Sequence, residues 1–169
     1  MGIHRSEDDD FAAWRSRLRA SYDRLADEYA AHIYDELRHK PLDREMLDKL
    51  AARAGGRGPI CDLGCGPGQV ARYLRDHGAP TFGIDLSEGM VAQARRLNPD
   101  LEFRQGDMLA LSDPDAAWGG AAVFYSLIHI PRDRVPAALA ELHRVLAPGG
   151  ALLIAVHVGQ ETLHRDELW

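Results

Sequence analysis

The sequence is poor in the residues that crosslink small folds. Its 169 residues include only two cysteines, Cys61 and Cys65, which form neither a C-x-x-C pair nor part of a larger metal-ligand cluster. We therefore predict two reduced packing residues and no metal cofactor. A chain of this length buries roughly 70% of its unfolded surface. One hydrophobic core is then sufficient for stability.

Excess positive charge and long apolar runs are also missing. The chain carries 20 Lys and Arg against 26 Asp and Glu, a formal net charge of −6. This balance disfavours a nucleic-acid partner, because binding to phosphates needs clustered basic side chains. No run is long enough to span a bilayer, and residues 6–10 are acidic where a signal peptide is basic. We therefore expect a soluble, cytoplasmic protein without a membrane partner.

The apolar pattern predicts N-terminal helices followed by alternating strands and helices. Apolar residues recur at spacings of three and four over 11–37, which is typical of one long helix or two with a bend, and again over 42–54. Strands are then predicted at 59–63, 80–84, 101–105, 121–125 and 151–158, with helices at 69–77, 88–97 and 133–146. This order is typical of a parallel sheet built from right-handed βαβ units.

The most informative segment joins the first predicted strand to the next helix through a glycine turn. Asp62 lies near the end of this strand, and Gly64, Gly66 and Gly68 follow. Glycine accepts positive φ and lets a ligand approach the backbone, while the start of the next helix presents unpaired N–H groups. We therefore expect a nucleotide-like ligand against this turn.

Spacing and charge distinguish two kinds of nucleotide ligand. The dinucleotide pattern G-x-G-x-x-G/A fits when it is counted from Gly66 through Gly68 to Ala71, which keeps an NAD(P)-dependent oxidoreductase as an alternative. Asp62 opposes that alternative, because a carboxylate repels a pyrophosphate and attracts the ammonium and sulfonium groups of S-adenosylmethionine. The charge of Asp62 therefore favours S-adenosylmethionine.

Four short motifs occur in order at residues 62–68 (DLGCGPG), 83–87 (GIDLS), 106–108 (GDM) and 144–150 (RVLAPGG). Together they resemble the ordered motifs of class I S-adenosylmethionine-dependent methyltransferases of the small-molecule type. The resemblance implies an α/β, Rossmann-like, doubly wound and mainly parallel sheet with strand order 3-2-1-4-5. It also implies methyl transfer from S-adenosylmethionine to a small acceptor by direct displacement, with S-adenosylhomocysteine as product. The acceptor itself is not implied, since this superfamily varies its substrates on one scaffold.

The same resemblance predicts one domain over 1–169, with lid helices over 1–56 and a Rossmann-like core over 57–169. Members usually have two further strands, which this sequence lacks after its fifth predicted strand. An edge strand as apolar as 151–156 exposes unpaired backbone and apolar side chains. The hypotheses are a shortened fragment, a homodimer through this edge, or cover by the tail. A non-catalytic S-adenosylmethionine-binding module stays open as an alternative.

Two acidic residues at strand ends are candidates for binding the nucleoside. Asp85 follows the glycine turn at the spacing where a carboxylate accepts hydrogen bonds from both ribose hydroxyls, although it can instead cap the helix that begins after Ser87. By resemblance, Asp107 accepts from the adenine amino group, with Met108 beside it. The alternative for this pair is a polar turn with a buried methionine.

The other cofactor candidates surround these two. Asp62 is expected to orient the methionine ammonium and also to hold the turn through backbone N–H groups, although the second role alone is the alternative. Tyr22 and Tyr29 lie in a segment that resembles the lid helix of small-molecule methyltransferases, although helical spacing alone indicates an amphipathic helix. Met90 is a candidate for which core packing is the alternative. The remaining candidates are Gly64, Cys65, Gly66, Leu86 and Tyr125.

Histidines supply the candidates for acceptor chemistry. His129 follows the fourth strand, and an ordinary pKa near 6.5 suits it to take a proton from a hydroxyl, thiol or amine. Its alternative role is packing between Leu127 and Pro131. His157 is a second acceptor-site candidate, for which a buried strand position is equally consistent. His164 and Asp166 in the polar tail are interpreted as solvated.

Overall fold

The computed structural model describes residues 7–157, so the tail residues His164 and Asp166 lie outside it. Its helices are α1 (Glu7–Ile33), α2 (Pro41–Ala54), α3 (Gln69–Asp76), α4 (Glu88–Leu97) and α5 (Val135–Val145), with 3₁₀ turns at Glu36–His39 and Leu127–His129. Its strands are β1 (Ile60–Leu63), β2 (Thr81–Asp85), β3 (Glu102–Gln105), β4 (Trp118–Phe124) and β5 (Leu146–Ala155).

The five strands form one parallel sheet in the order β3-β2-β1-β4-β5, as predicted. β1 lies in the middle, where Cys61 pairs with Phe82 of β2 on one side and with Ala121 of β4 on the other. The chain order reverses between β1 and β4. In sheets of this kind the crevice for a ligand lies at the carboxyl ends of the strands on either side of that reversal.

The core fills both faces of the sheet. Every residue of β1 is buried, which is why this strand reads as a continuous apolar run interrupted only by Asp62. Ile60 packs with Leu47 and Leu74 of α2 and α3 on one face. Cys61 packs on the opposite face with Trp118, Leu142 and Val145. Both cysteines are buried free thiols.

The fifth strand begins earlier than the sequence pattern predicts. It starts at Leu146 rather than residue 151, because Leu146 pairs with Trp118 and a register shift in β4 follows between Trp118 and Gly120. Gly149 accommodates the turn in the strand with φ +76°. Pro148 lies within it, which an edge strand tolerates. The early part of β5 therefore depends on a partner distant in sequence.

The long N-terminal helix crosses the carboxyl ends of the strands and is fixed against α4. Asp23 accepts hydrogen bonds from the Ser87 hydroxyl (2.6 Å) and from the Gly89 N–H (3.0 Å). A Cβ on Gly89 would lie 3.0 Å from Asp23 Cα, so glycine is what allows the two helices to approach. α1 ends at Ile33 rather than near Leu37, because residues 36–39 turn into a 3₁₀ helix.

No helix within residues 7–157 combines the length and the apolar character needed to cross a membrane.

Candidate functional site

The glycine turn after β1 presents bare backbone at the carboxyl end of the sheet. Gly64, Gly66 and Gly68 all have positive φ, between +50° and +86°. A Cβ on Gly64 would lie 2.2 Å from Ser126 Cβ, whereas one on Gly66 would lie 3.6 Å from a ring carbon of Tyr29. The turn is therefore tightly packed against the segment that follows β4 at Gly64 and covered by α1 at Gly66.

Asp85 ties this turn to the end of β2. One of its carboxylate oxygens accepts the Gly66 N–H at 2.8 Å, and the other accepts the Ser87 N–H at 2.8 Å. Burial raises the pKa of Asp85, and the two backbone N–H groups only partly offset that effect. The helix cap itself is Ser87, whose hydroxyl accepts the Met90 N–H. Asp85 thus holds the loop, and Ser87 caps α4.

Asp62 lies behind the turn rather than in front of it. Its side chain is 1% exposed and accepts the Ala71 N–H of α3 at 3.0 Å. Burial raises its pKa to about 7, the Ala71 hydrogen bond opposes this, and the nearby Asp85 adds to it. The structure thus shows Asp62 bonded to one backbone N–H, that of Ala71 in α3, and its orientation of the methionine ammonium stays a prediction.

A cavity of about 100 Å³ lies between the turn and α1. A second cavity of about 380 Å³ adjoins it and shares Arg19, Leu86, Gly106 and Asp107. Most of the sequence-predicted site residues line the first cavity, namely Tyr22, Tyr29, Gly64, Gly66, Asp85, Leu86, Met90, Asp107, Met108, Tyr125 and His129. The fold therefore brings together residues that are up to 107 positions apart, such as Tyr22 and His129.

Three predicted site residues do not line this cavity. Asp62 lies behind the turn, and Cys65 is buried in a separate cluster with Val91 and Phe103. His157 stacks on the Tyr125 ring, with the ring centroids 4.6 Å apart. It therefore contacts the cavity only through that tyrosine. Met90 lines the cavity and is 1% exposed, so it is buried as core packing requires, and its contact with the cofactor stays a prediction.

Tyr125 is held in an unusual conformation at the end of β4. Its φ of +53° lies in the left-handed region, which is uncommon for a non-glycine residue and often marks a functional position. The ammonium of Lys40 lies 4.9 Å from the centre of the Tyr125 ring, in addition to the stack with His157. Contacts from two separate segments therefore fix the direction of this ring.

Polar contacts that sequence reasoning missed connect α1 to the cavity. Arg15 forms an ion pair with Asp107 at 2.7 Å, and Arg19 lines both cavities. Leu18 also lines the first cavity, and it lies one helical turn before Tyr22. The i, i+4 spacing from Tyr22 would have identified Leu18. No local pattern indicates that Arg15 meets Asp107, because the pair is separated by 92 positions.

The cavity contains carboxylates and aromatic rings but no metal centre within residues 7–157, where no group of three His, Cys, Asp or Glu side chains is placed to hold an ion. Bare backbone and a buried carboxylate suit a nucleoside, and tyrosine faces attract a cation. Such a site can hold a positively charged nucleoside and align it with a second molecule.

Comparison with known proteins agrees with this geometry. The family described as Methyltransferase domain matches residues 60–150. The malonyl-[acyl-carrier protein] O-methyltransferase of Enterobacter lignolyticus is 34% identical over 159 residues, covering 92% of this chain and 59% of that protein. The demethylmenaquinone methyltransferase of Beutenbergia cavernae is 37% identical over 112 residues, covering 66% and 45%. The chain spans about half the length of these relatives.

A solved structure shows the same fold. The putative methyltransferase of Haloferax volcanii, solved in complex with the Trm112 methyltransferase activator, superposes with a TM-score of 0.66 at 28% identity. The match covers 79% of this chain and 57% of that one.

The buried Asp62 carboxyl makes stability depend on pH in a defined direction. Its folded-state pKa is about 7 against an ordinary value of 3.8, so the stability it contributes is present at acid pH and lost as the pH rises towards 7. Asp62→Asn does not titrate. We expect this variant to gain up to about 4 kcal/mol relative to wild type between pH 4 and pH 8, measured by urea unfolding without ligand.

Asp113→Asn is the matched control. Burial tends to raise the pKa of Asp113, but hydrogen bonds from Arg104 and Trp118 lower it. Asp113 is therefore ionised throughout this range, and its substitution should cost the same free energy of unfolding at pH 5 and pH 8. An Asp62→Asn variant whose stability difference from wild type is constant over the same interval would contradict the assignment.

Proposed function

This chain belongs to the class I S-adenosylmethionine-dependent methyltransferases, and we propose that it transfers the methyl group of S-adenosylmethionine to a small-molecule acceptor. The observation that carries this proposal is the cavity itself. Its lining includes the bare glycine turn, Asp85, Tyr22, Tyr125 and His129.

The residues present fit this cofactor. When bound, S-adenosylmethionine supplies a methyl group made electrophilic by its sulfonium. Each oxygen of Asp85 uses one acceptor position on a backbone N–H, and a carboxylate has about four such positions. Two therefore remain for the ribose hydroxyls. We assign Asp107 to the adenine amino group and the backbone of Gly64 and Gly66 to the methionine portion.

The walls of the cavity complete the assignment. Leu86, Met90 and Met108 supply apolar surface for the adenine ring. Tyr22 and Tyr29 cover the glycine turn from α1, with their rings in an edge contact at 5.9 Å. Aromatic faces attract a cation, which suits them to a sulfonium. We assign His129 and Tyr125 to the acceptor side, with His157 acting behind Tyr125.

Alignment rather than a covalent intermediate accounts for the rate in this proposal. Direct displacement needs the attacking atom, the methyl carbon and the sulfur in line, and holding reactants in that geometry removes several kcal/mol from a barrier. Residues fixed by the fold serve this purpose best. Asp85, Tyr125 and the glycine turn are all fixed by contacts from two or more elements.

Because the chain belongs to a methyltransferase family, the spacing of Gly66, Gly68 and Ala71 is no longer interpreted as the mark of an NAD(P)-dependent oxidoreductase. The remaining alternative is a module that binds S-adenosylmethionine without turnover. Methyl-labelled S-adenosylmethionine, incubated with malonyl-acyl carrier protein, demethylmenaquinone and a panel of simple phenols, separates the two. We expect labelled product and S-adenosylhomocysteine with at least one acceptor. Binding of S-adenosylmethionine without any methylated product supports the module. A rise in melting temperature with NAD, and none with S-adenosylmethionine or S-adenosylhomocysteine, contradicts the proposal.

We propose further that two copies of the chain associate through β5. This strand lies at one edge of the sheet. Its alternate side chains Leu152 and Ile154 are 39% and 36% exposed, and Val156, which directly follows the strand, is 45% exposed. A strand edge can pair with the same edge of a second copy about a two-fold axis, which satisfies its backbone groups and covers these side chains.

We also propose a cytoplasmic location, which is consistent with the two free thiols.

Asp85→Asn should weaken cofactor binding. The substitution removes a charged hydrogen-bond acceptor, a loss of roughly 1.5–3 kcal/mol, so the dissociation constant for S-adenosylhomocysteine should rise about 10- to 150-fold in calorimetry. Asp100→Asn is the control, because Asp100 pairs with Arg72 outside the cavity. If wild type and Asp85→Asn bind S-adenosylhomocysteine equally well, and circular dichroism shows that both are folded, then Asp85 does not bind the cofactor.

Ile154→Lys should dissociate the dimer. A lysine on the apolar β5 surface places a charge in the interface, so light scattering after size-exclusion chromatography should show a mass change from dimer to monomer. Leu42→Lys is the control, since Leu42 is 65% exposed on α2. A wild-type protein that is monomeric at all concentrations would refute the association.

A further inference from the structure

The hydroxyl of Tyr22 contacts the imidazole of His129 inside the cavity. Tyr22 Oη lies 2.8 Å from His129 Nε2, and the two rings meet edge to face with centroids 5.3 Å apart. Tyr22 comes from α1 and His129 from the 3₁₀ turn after β4, so the contact forms only when α1 lies across the sheet. Both side chains line the cavity.

The protonation states of the pair fix the direction of this hydrogen bond. Burial lowers the pKa of His129, so the imidazole is neutral at pH 7. Burial raises the pKa of Tyr22, and the nearby Tyr29 and the Asp85 carboxylate add to that effect, so the phenol keeps its proton. The Tyr22 hydroxyl therefore donates to His129 Nε2, and that nitrogen is not open to a substrate proton.

Other ionisable groups face the pair from every element around it. They are Arg19 and Tyr29 of α1, Asp85 at the end of β2, Asp107 after β3 and Tyr125 at the end of β4. The two carboxylates would attract a proton to the pair, and Arg19 opposes them. None of these groups contacts His129 in the hydrogen bonds of residues 7–157, where Tyr22 is its side-chain partner.

We propose that Tyr22 is the group that meets the acceptor, that His129 is the base behind it, and that the acceptor reacts through a protonated oxygen such as a phenolic hydroxyl. This inference rests on the proposed methyl transfer. It differs from the direct base role expected for His129, because the phenol stands between the imidazole and the substrate.

A lone pair of the acceptor oxygen forms the new bond to the methyl carbon, and the carbon–sulfur bond breaks with its electron pair left on sulfur. The acceptor proton passes to Tyr22 Oη as the Tyr22 proton passes to His129 Nε2. The products are the methyl ether, S-adenosylhomocysteine and a protonated His129, which returns its proton to solvent when the products leave.

The position of Tyr22 in α1 supports this role. The next residue, Asp23, anchors the helix to Ser87, the N-cap of α4, and to Gly89 in its first turn, so the phenol lies beside a fixed point of α1. On the other side, the Ser126 hydroxyl donates to the Leu63 carbonyl at 2.7 Å and fixes the start of the turn that carries His129. Both halves of the pair are therefore preorganised.

The first test is kinetic and compares matched Tyr→Phe variants. With the phenol that wild type methylates fastest, Tyr22→Phe and His129→Gln should each lower kcat about 100-fold or more, while the KM for S-adenosylmethionine changes less than about threefold. The double variant should be no slower than either single variant, because the two groups act as one unit. Tyr34→Phe is the control, since the Tyr34 hydroxyl bonds Asn98 outside the cavity.

The second test needs no turnover. The side-chain ¹⁵N resonance of His129 Nε2, measured in the S-adenosylhomocysteine complex, should report a hydrogen-bonded acceptor nitrogen. It should shift in Tyr22→Phe and stay unchanged in Tyr34→Phe. If Tyr22→Phe does not fold, 3-fluorotyrosine incorporation, which acidifies the phenols, should shift the same resonance.

The outcomes separate this inference from the proposed function. Three results would overturn the proton transfer through Tyr22 to His129 and leave methyl transfer intact. They are a wild-type rate in Tyr22→Phe, multiplicative losses of rate in the double variant, or an Nε2 resonance that does not shift in Tyr22→Phe. Methylation of malonyl-acyl carrier protein but of no phenol also overturns it, because a carboxylate needs no base. A wild-type protein that methylates nothing overturns both.

Discussion

The hydrogen bond from the Gly66 N–H to Asp85 is the contact on which the site depends. It joins the glycine turn after β1 to the end of β2 and so sets bare backbone beside a half-buried carboxylate. Asp62 holds the same turn from behind through Ala71. Without these two carboxylates the N–H groups of Gly66 and Ala71 would lose their acceptors. The turn is therefore built from acids that are costly to bury.

That cost has a chemical consequence. Burial raises the pKa of both Asp62 and Asp85, and the Asp85 carboxylate raises the pKa of Asp62 further. A ligand that brings positive charge reduces the electrostatic repulsion between these two carboxylates, whereas a diphosphate adds to it. The same feature that stabilises the turn therefore selects a cationic nucleoside. The family to which the chain belongs uses such a cofactor, and the aromatic residues of α1 and β4 complete the enclosure.

Local patterns in the sequence were enough for the sheet and for most of the cavity wall. Glycine spacing, strand-end acids and βαβ order are short-range signals, and they predicted the strand order and the meeting of Asp85, Asp107 and the glycine turn at one edge. Contacts between distant segments were not predictable. The early start of β5 depends on its pairing with Trp118. The position of Asp62 behind the turn depends on its hydrogen bond to α3, and the Tyr22–His129 contact depends on how α1 docks.

The most direct test of the account is the number of protons released when the cofactor binds. Calorimetry of S-adenosylmethionine at pH 7, in two buffers of different ionisation enthalpy, measures it. Because the sulfonium favours the ionised forms of Asp62 and Asp85, we expect a net release of protons, and a smaller release for S-adenosylhomocysteine, which lacks that charge. Equal or zero release for the two compounds would contradict the claim that buried carboxylates select the ligand.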